Sequence, residues 1–240
     1  MSVAVKICGV CSPADAAVAA RAGADFIGVI LAPGRTRSRT VEEAAAIYAA
    51  APSRRAGVFV DAAVDDVLRA VDRLRLDVVQ LHGAESPEYV HALRDRTPVE
   101  LWKAVAVRTS DDVCDAASQW AGTSHGLLLE GWSARGSGGV GASFDWAAAA
   151  GVRAAVPPAL RLILAGGLNA GNVAHAVALL RPDVADVSSG VEQSVGRKSP
   201  AQVAAFIAAA RNATHPAVPA GGTAAAPDAA GRTAERSTGA

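Results

Sequence analysis

What this 240-residue chain has little of narrows it first. Aromatic residues are 4% of the composition, within an apolar total of 51%, so its core must be built of Ala, Val, Leu and Ile. Three cysteines are an odd number and too few for a disulfide framework. Formal net charge is zero. That argues against an electrostatic binder of nucleic acid or of an anionic membrane, either of which needs a basic excess. It leaves room for a local basic pocket around a small anion. No run approaches the roughly 18 apolar residues of a membrane span, and no leader-like segment precedes the strand pattern at Val3. No GxGxxG follows the first strand, which weighs against a dinucleotide-binding fold. The expectation is a soluble, reduced, cytoplasmic protein. No aromatic-rich patch suggests a partner surface, so it is expected to be a monomer.

What is present is a regular alternation of β-branched strands and alanine-rich helices. Strands are expected at Val3–Cys8, Phe26–Ile30, Gly57–Val60, Val78–Leu81, Leu101–Val105, Leu127–Glu130, Leu162–Ala165 and Val184–Val187. Between most of them lies room for one helix and two short loops, the pattern of βαβ units and a parallel sheet. Ser12-Pro13, Ser86-Pro87 and Ser199-Pro200 each place a capping hydroxyl before a proline at the first helical position, and Thr40 with Glu43 has capping-box spacing. Eight such units close naturally into a (β/α)8 TIM barrel, with an open doubly wound sheet as the rival. The barrel is expected over residues 1–211. From Asn212 to Ala240 the chain is Ala, Gly, Pro and Thr with almost no large apolar residue, so 212–240 is expected to be a disordered tail. A second irregular stretch, Gly131–Ser143, follows the sixth strand, where a long loop is often functional.

In such a barrel the active site lies at the C-terminal ends of the strands. The polar residues expected there are Cys8, the cluster Arg35, Arg37 and Arg39, then Asp61, Gln80, His82, Lys103, Glu130 and Asp186. Ala165-Gly166-Gly167 ends the seventh strand, with Asn172 opening the next helical pattern. Ser188-Ser189-Gly190 ends the eighth. Loops at this pair of strands often hold a phosphate on backbone N–H groups, and glycine lets the chain approach the anion closely. Cys8-Gly9-Val10-Cys11 is a CxxC, but no second one exists and the five histidines are scattered, so a four-ligand zinc site is not expected. Cys11 reads as an apolar residue at a helix start. Cys8 differs because it stands at a strand tip.

Lys6-Ile7-Cys8-Gly9, Gly57-Val58-Phe59-Val60, Gln80-Leu81-His82-Gly83, Gly138-Gly139-Val140-Gly141 with Phe144-Asp145-Trp146, Ala165-Gly166-Gly167-Leu168-Asn169 and Asp186-Val187-Ser188-Ser189-Gly190-Val191-Glu192 occur in that order. Together they resemble the phosphoribosylanthranilate isomerase family of tryptophan biosynthesis, from about Val3 to Arg211. The resemblance implies a (β/α)8 barrel and an Amadori rearrangement of a phosphosugar substrate, with no cofactor and no metal. It implies that Cys8 is the general base and Glu130 the general acid. Arg37 would face the anthranilate carboxylate, while Gln80, His82 and Asp186 would line the substrate pocket. Gly141, Gly166, Gly167, Ser189 and Gly190 would grip the phosphate. The family usually has aspartate where this chain has Glu130, which reaches one methylene further. Two other readings stay open: an isomerase of the related histidine-pathway aminoaldose, alone or in addition, and a non-catalytic barrel that binds a phosphosugar.

Overall fold

The computed structural model describes residues 2–131 and 151–213. Eight parallel strands close into a barrel: β1 (Ala4–Ile7), β2 (Phe26–Ile30), β3 (Arg54–Phe59), β4 (Val78–Leu81), β5 (Glu100–Val107), β6 (Gly126–Gly131), β7 (Arg161–Leu164) and β8 (Val184–Val187). The barrel shuts where β1 pairs with β8, Lys6 standing beside Asp186 in register. Among the described residues the helices are α1 (Pro13–Arg21), α2 (Val41–Ala49), α3 (Val64–Leu74), α4 (Pro87–Arg94), α5 (Ser110–Trp120), α6 (Val173–Leu180) and α7 (Pro200–Arg211). The expected caps are in place. The Ser12, Ser86 and Ser199 hydroxyls accept from the amides of Asp15, Tyr89 and Gln202, and Thr40 and Glu43 complete a capping box. No helix among the described residues is long and apolar enough to cross a membrane. The expected tail 212–240 lies almost wholly outside the described residues, as does most of the irregular stretch after β6.

Side chains alternate across each strand, so every strand contributes to two cores. One face builds a layer between strands and helices, from residues such as Ile7, Ile27, Val29, Val79, Leu81, Leu127 and Leu129. The other fills the barrel itself with Phe26, Ala56, Val78, Trp102, Ala104, Leu128, Ile163, Ala165 and Val184. Trp102 fits only because β6 begins on glycine: a Cβ at Gly126 would stand 2.7 Å from the indole. Phe26 meets Trp102 edge-on with ring centroids 5.1 Å apart. Counting by twos from this apolar floor toward the strand ends fixes what faces the mouth. Val78 leads to Gln80 and His82, Leu128 to Glu130, Val184 to Asp186, and Ala4 to Lys6 and Cys8.

The same parity corrects two expectations, Lys103 and Asp61, neither of which lines the mouth. Lys103 is next to Trp102 and points outward, not into the mouth. Its ammonium is buried behind the barrel, 3.1 Å from Glu85 Oε2, 2.7 Å from the Gly83 carbonyl and above the Trp120 ring of α5. Glu85 in turn accepts from the amides of Asp61 and Gly83. This buried pair clamps the loops after β3 and β4. Asp61 belongs to the clamp as well, its Oδ1 taken by the Ala84 amide. A further element has no sequence signature: a short hairpin after β8, β9 (Glu192–Ser194) and β10 (Arg197–Lys198), turning at Gly196.

Candidate active site

The C-terminal rim encloses a cavity of about 330 Å³. Cys8, Arg35, Arg37, Gln80, His82, Glu130, Asp186 and the glycine corners Gly166-Gly167 and Ser189-Gly190 all line it. Residues that span most of the chain therefore meet because eight strand ends open on one side. Gly141 lies outside the described residues.

The floor of this cavity is a buried ion pair. The Lys6 ammonium, with no exposed surface, donates to Asp186 Oδ2 at 2.9 Å and to Gln80 Oε1 at 2.8 Å. Burial is the largest influence and would lower the Lys6 pKa, but Asp186 and Cys8 together outweigh it through charge and hydrogen bonding, and the net shift is upward. The cation also favours a thiolate at Cys8. Burial is nonetheless the largest influence on Cys8 and, with repulsion from Asp186, pushes the thiol above its ordinary value against the pull of Lys6. Burial thus favours the thiol form, against the lysine held beneath the sulfur. Room for both comes from β2, where a Cβ at Gly28 would stand 2.9 Å from Cys8 Sγ and 3.1 Å from Lys6 Cε. Asp186 keeps one buried oxygen, Oδ1, without a hydrogen-bond partner among the described residues.

On the far side Glu130 is held. His82 Nε2 lies 3.2 Å from Glu130 Oε1, and His82 Nδ1 lies 2.9 Å from Gln80 Nε2. The longer glutamate side chain therefore ends on a fixed partner.

Arg37 also reaches the cavity, but its Nε and one terminal nitrogen form a two-pronged pair with Glu192 at 2.7 and 2.8 Å. Lys198 from β10 closes the group, 3.0 Å from Glu192 Oε1 and 3.0 Å from the Ser188 carbonyl. Burial would raise the Glu192 pKa, yet the bonds from Arg37 and the charge of Lys198 hold it below the ordinary carboxylate range. Gly9, in the left-handed region at φ 65°, makes the crossing possible, since a Cβ there would come within 2.7 Å of the Arg37 chain. The other two arginines of the cluster differ in use. Arg35 is exposed at the rim, and Arg39 turns away to the Cys11 carbonyl at 3.0 Å. Cys11 points outside the barrel toward the carbonyls of Gly9 and Arg37, and both cysteines are free thiols.

The two glycine corners are built by side chains near them. Asn172 precedes α6 without capping it in the usual way; it accepts from the Asn169 amide at 2.8 Å and donates to the Gly167 carbonyl at 2.9 Å. Gly166 and Gly167 take φ of 82° and 65°. Gly190 touches this loop so closely that a Cβ would stand 1.9 Å from the Leu168 oxygen. The corners after β7 and β8 thus form one continuous backbone surface suited to an anion.

Three participants were missed by sequence reasoning: Lys6, Glu192 and Lys198. Lys6 had a usable signal, because it shares the parity of Cys8 two residues earlier. Glu192 and Lys198 had none, since their position depends on the hairpin.

The chain is similar over most of its length to known proteins. The family model for N-(5'phosphoribosyl)anthranilate (PRA) isomerase matches residues 5–209. The N-(5'-phosphoribosyl)anthranilate isomerase of Rhodospirillum centenum is 40% identical over 216 residues, covering 88% of this chain and 99% of that one. The crystal structure of the Thermotoga maritima phosphoribosyl anthranilate isomerase superimposes with a TM-score of 0.78 at 34% identity, covering 87% of this chain and 98% of that one. A further structure of a phosphoribosyl anthranilate isomerase, in complex with reduced 1-(o-carboxyphenylamino)-1-deoxyribulose 5-phosphate, matches with a TM-score of 0.75 at 32% identity over the same shares.

Proposed function

The chain belongs to the N-(5'phosphoribosyl)anthranilate (PRA) isomerase family, and from that premise we propose how its rim converts N-(5'-phosphoribosyl)anthranilate into 1-(2-carboxyphenylamino)-1-deoxyribulose 5-phosphate. Glu130 gives its proton to the furanose oxygen. The C1–O bond breaks toward that oxygen while the nitrogen lone pair forms C=N, leaving an open-chain Schiff base. Cys8, in the fraction of molecules whose thiol has first lost its proton to solvent, removes the proton from C2. That electron pair forms C1=C2 as the C=N pair returns to nitrogen. The enolamine then gains a proton at C1 and loses one from the C2 hydroxyl, giving the ketone. The substrate gains two protons and loses two, so the product is an isomer and no oxidant or reductant is consumed. An acid and a base at this pair of positions each contribute about 10²–10⁴-fold.

Binding roles follow from the groups left available. The unpartnered Asp186 Oδ1 is a buried acceptor suited to a sugar hydroxyl. Arg37 is held from behind by Glu192, which leaves its other edge for the substrate carboxylate. Gly166, Gly167, Ser189 and Gly190 are assigned to the phosphate.

The observation that carries this reading is that Cys8, Glu130 and both glycine corners line one cavity. Its test is rescue of a tryptophan auxotroph lacking this isomerase, with purified protein assayed in parallel. The parent chain is expected to rescue, and Cys8→Ala and Glu130→Ala are expected to fold but fail. Full turnover by Cys8→Ala would reject the base. Binding of a product analogue with no conversion by the parent would reject catalysis altogether.

A further inference from the structure

Gln80 and His82 reach the cavity, yet their polar atoms are committed to other protein groups, and the order of those commitments has a direction. Lys6 can only donate, so the atom of Gln80 it touches at 2.8 Å must be the amide oxygen. The amide nitrogen, a donor, therefore faces His82 Nδ1 at 2.9 Å. His82 Nδ1 must then be the accepting nitrogen, which puts the ring proton on Nε2, aimed at Glu130 Oε1 at 3.2 Å.

We infer that Lys6, Gln80 and His82 form a one-way hydrogen-bond relay that fixes the Nε2–H tautomer of His82 and makes it a dedicated donor to Glu130. Gln80 and His82 are then positioning residues, acting through Glu130. The buried cation sets the sense of every bond after it. One carboxyl oxygen, Oε1, is kept as an acceptor, which leaves Oε2 to carry the proton that Glu130 delivers. The relay crosses the barrel from β1 through β4 to β6, so residues 6, 80, 82 and 130 act as one unit.

The charged groups around His82 agree with this sense. Glu130 faces it from β6, and Lys6, with Asp186 and Cys8, lies behind Gln80. Asp61 and Glu85, from the neighbouring loops, are turned to the amides of Ala84 and Gly83, and Lys103 to the Gly83 carbonyl. Among the described residues Gln80 is the recorded partner of Nδ1.

The role in catalysis rests on Glu130 being the acid; the tautomer does not, so the two can fail separately. The experiment reads the imidazole protons of the full-length protein by long-range ¹⁵N–¹H correlation at about pH 8, above the ordinary histidine value near 6.5. His82→Gln identifies the His82 signals. The expected result is a proton on Nε2. Gln80→Glu changes one atom, replacing the donor that faces Nδ1 with an acceptor, and is expected to move the proton to Nδ1. With Glu130 deprived of its donor, kcat is expected to fall about tenfold or more, with KM held within about twofold. His82→Gln, which keeps an amide donor near the Nε2 position, is expected to retain more activity than His82→Leu. A proton on Nδ1 in the parent protein would overturn the relay, as would Gln80→Glu with parental kcat, or His82→Gln no better than His82→Leu. A parent protein with the proton on Nε2 but no turnover would instead sink the isomerase reading and leave the relay standing.

Discussion

Glu130→Asp is the change that tests whether this pocket is built around the longer acid. Shortening the side chain by one methylene withdraws the carboxyl by about 1.5 Å, one C–C bond. The His82 contact is already at 3.2 Å, and a withdrawal of that size takes it well past hydrogen-bond reach. The carboxyl then loses its His82 contact and, on the proposed mechanism, stands off the ring oxygen. A misplacement of about 1 Å costs on the order of 10²-fold, or about 2.7 kcal/mol in the barrier. Steady-state turnover of the aminoaldose by purified protein measures it. We expect kcat to fall by about that factor with a much smaller change in KM, because Arg37 and the glycine corners are untouched. Pairing the change with His82→Gln checks the cause. Once the contact is broken by the aspartate, altering its partner should cost little more. A Glu130→Asp enzyme as fast as the parent would refute the reasoning, since it would mean that the acid acts without the His82 contact.

Three other expectations bear on separate parts of the molecule. Because burial raises the Cys8 thiol and only the thiolate is a base, kcat/KM should climb as pH rises through a value above the ordinary thiol. Lys6→Met should move that rise to higher pH and Asp186→Asn to lower pH, read by alkylation rates in a Cys11→Ser, Cys114→Ser background; shifts of the same sign would defeat the electrostatic account. Gly190→Ala would put a methyl 1.9 Å from the Leu168 oxygen. It should raise KM while costing about 1–3 kcal/mol in denaturant unfolding, and an unchanged KM would remove this corner from the phosphate site. Lys103→Met leaves Glu85 buried without its cation. It should cost about 3–5 kcal/mol of stability with KM unaltered, and the reverse pattern would return Lys103 to the active site.

Much of the architecture was legible because it rests on local rules. Strand positions came from short β-branched runs, helix starts from Ser-Pro pairs and a capping box, and the turns after the last two strands from Gly166-Gly167 and Ser189-Gly190. Cys8, Glu130 and Asp186 were legible as strand tips. Lys103 stands near a strand end, but the alternation of side chains turns it outward to Glu85 and the Gly83 carbonyl. The resemblance put Arg37 at the anthranilate carboxylate but carried no sign that Glu192, 155 residues further on, holds two of its nitrogens. That partner arrives on a hairpin whose few polar residues carry no periodic pattern.

The linear order of residues thus determined the alternation of strands and helices, and through the two-residue period it determined which side chains enter the barrel. Both are properties of a few neighbours at a time. Only the closed structure decided that Lys6 stands beside Asp186, that its ammonium meets the Gln80 oxygen, and that His82 lies between Gln80 and Glu130. Those partners are 180, 74, 2 and 48 residues apart. The sense of each bond is set by what the preceding group can donate, so none of it exists until β1 has met β8.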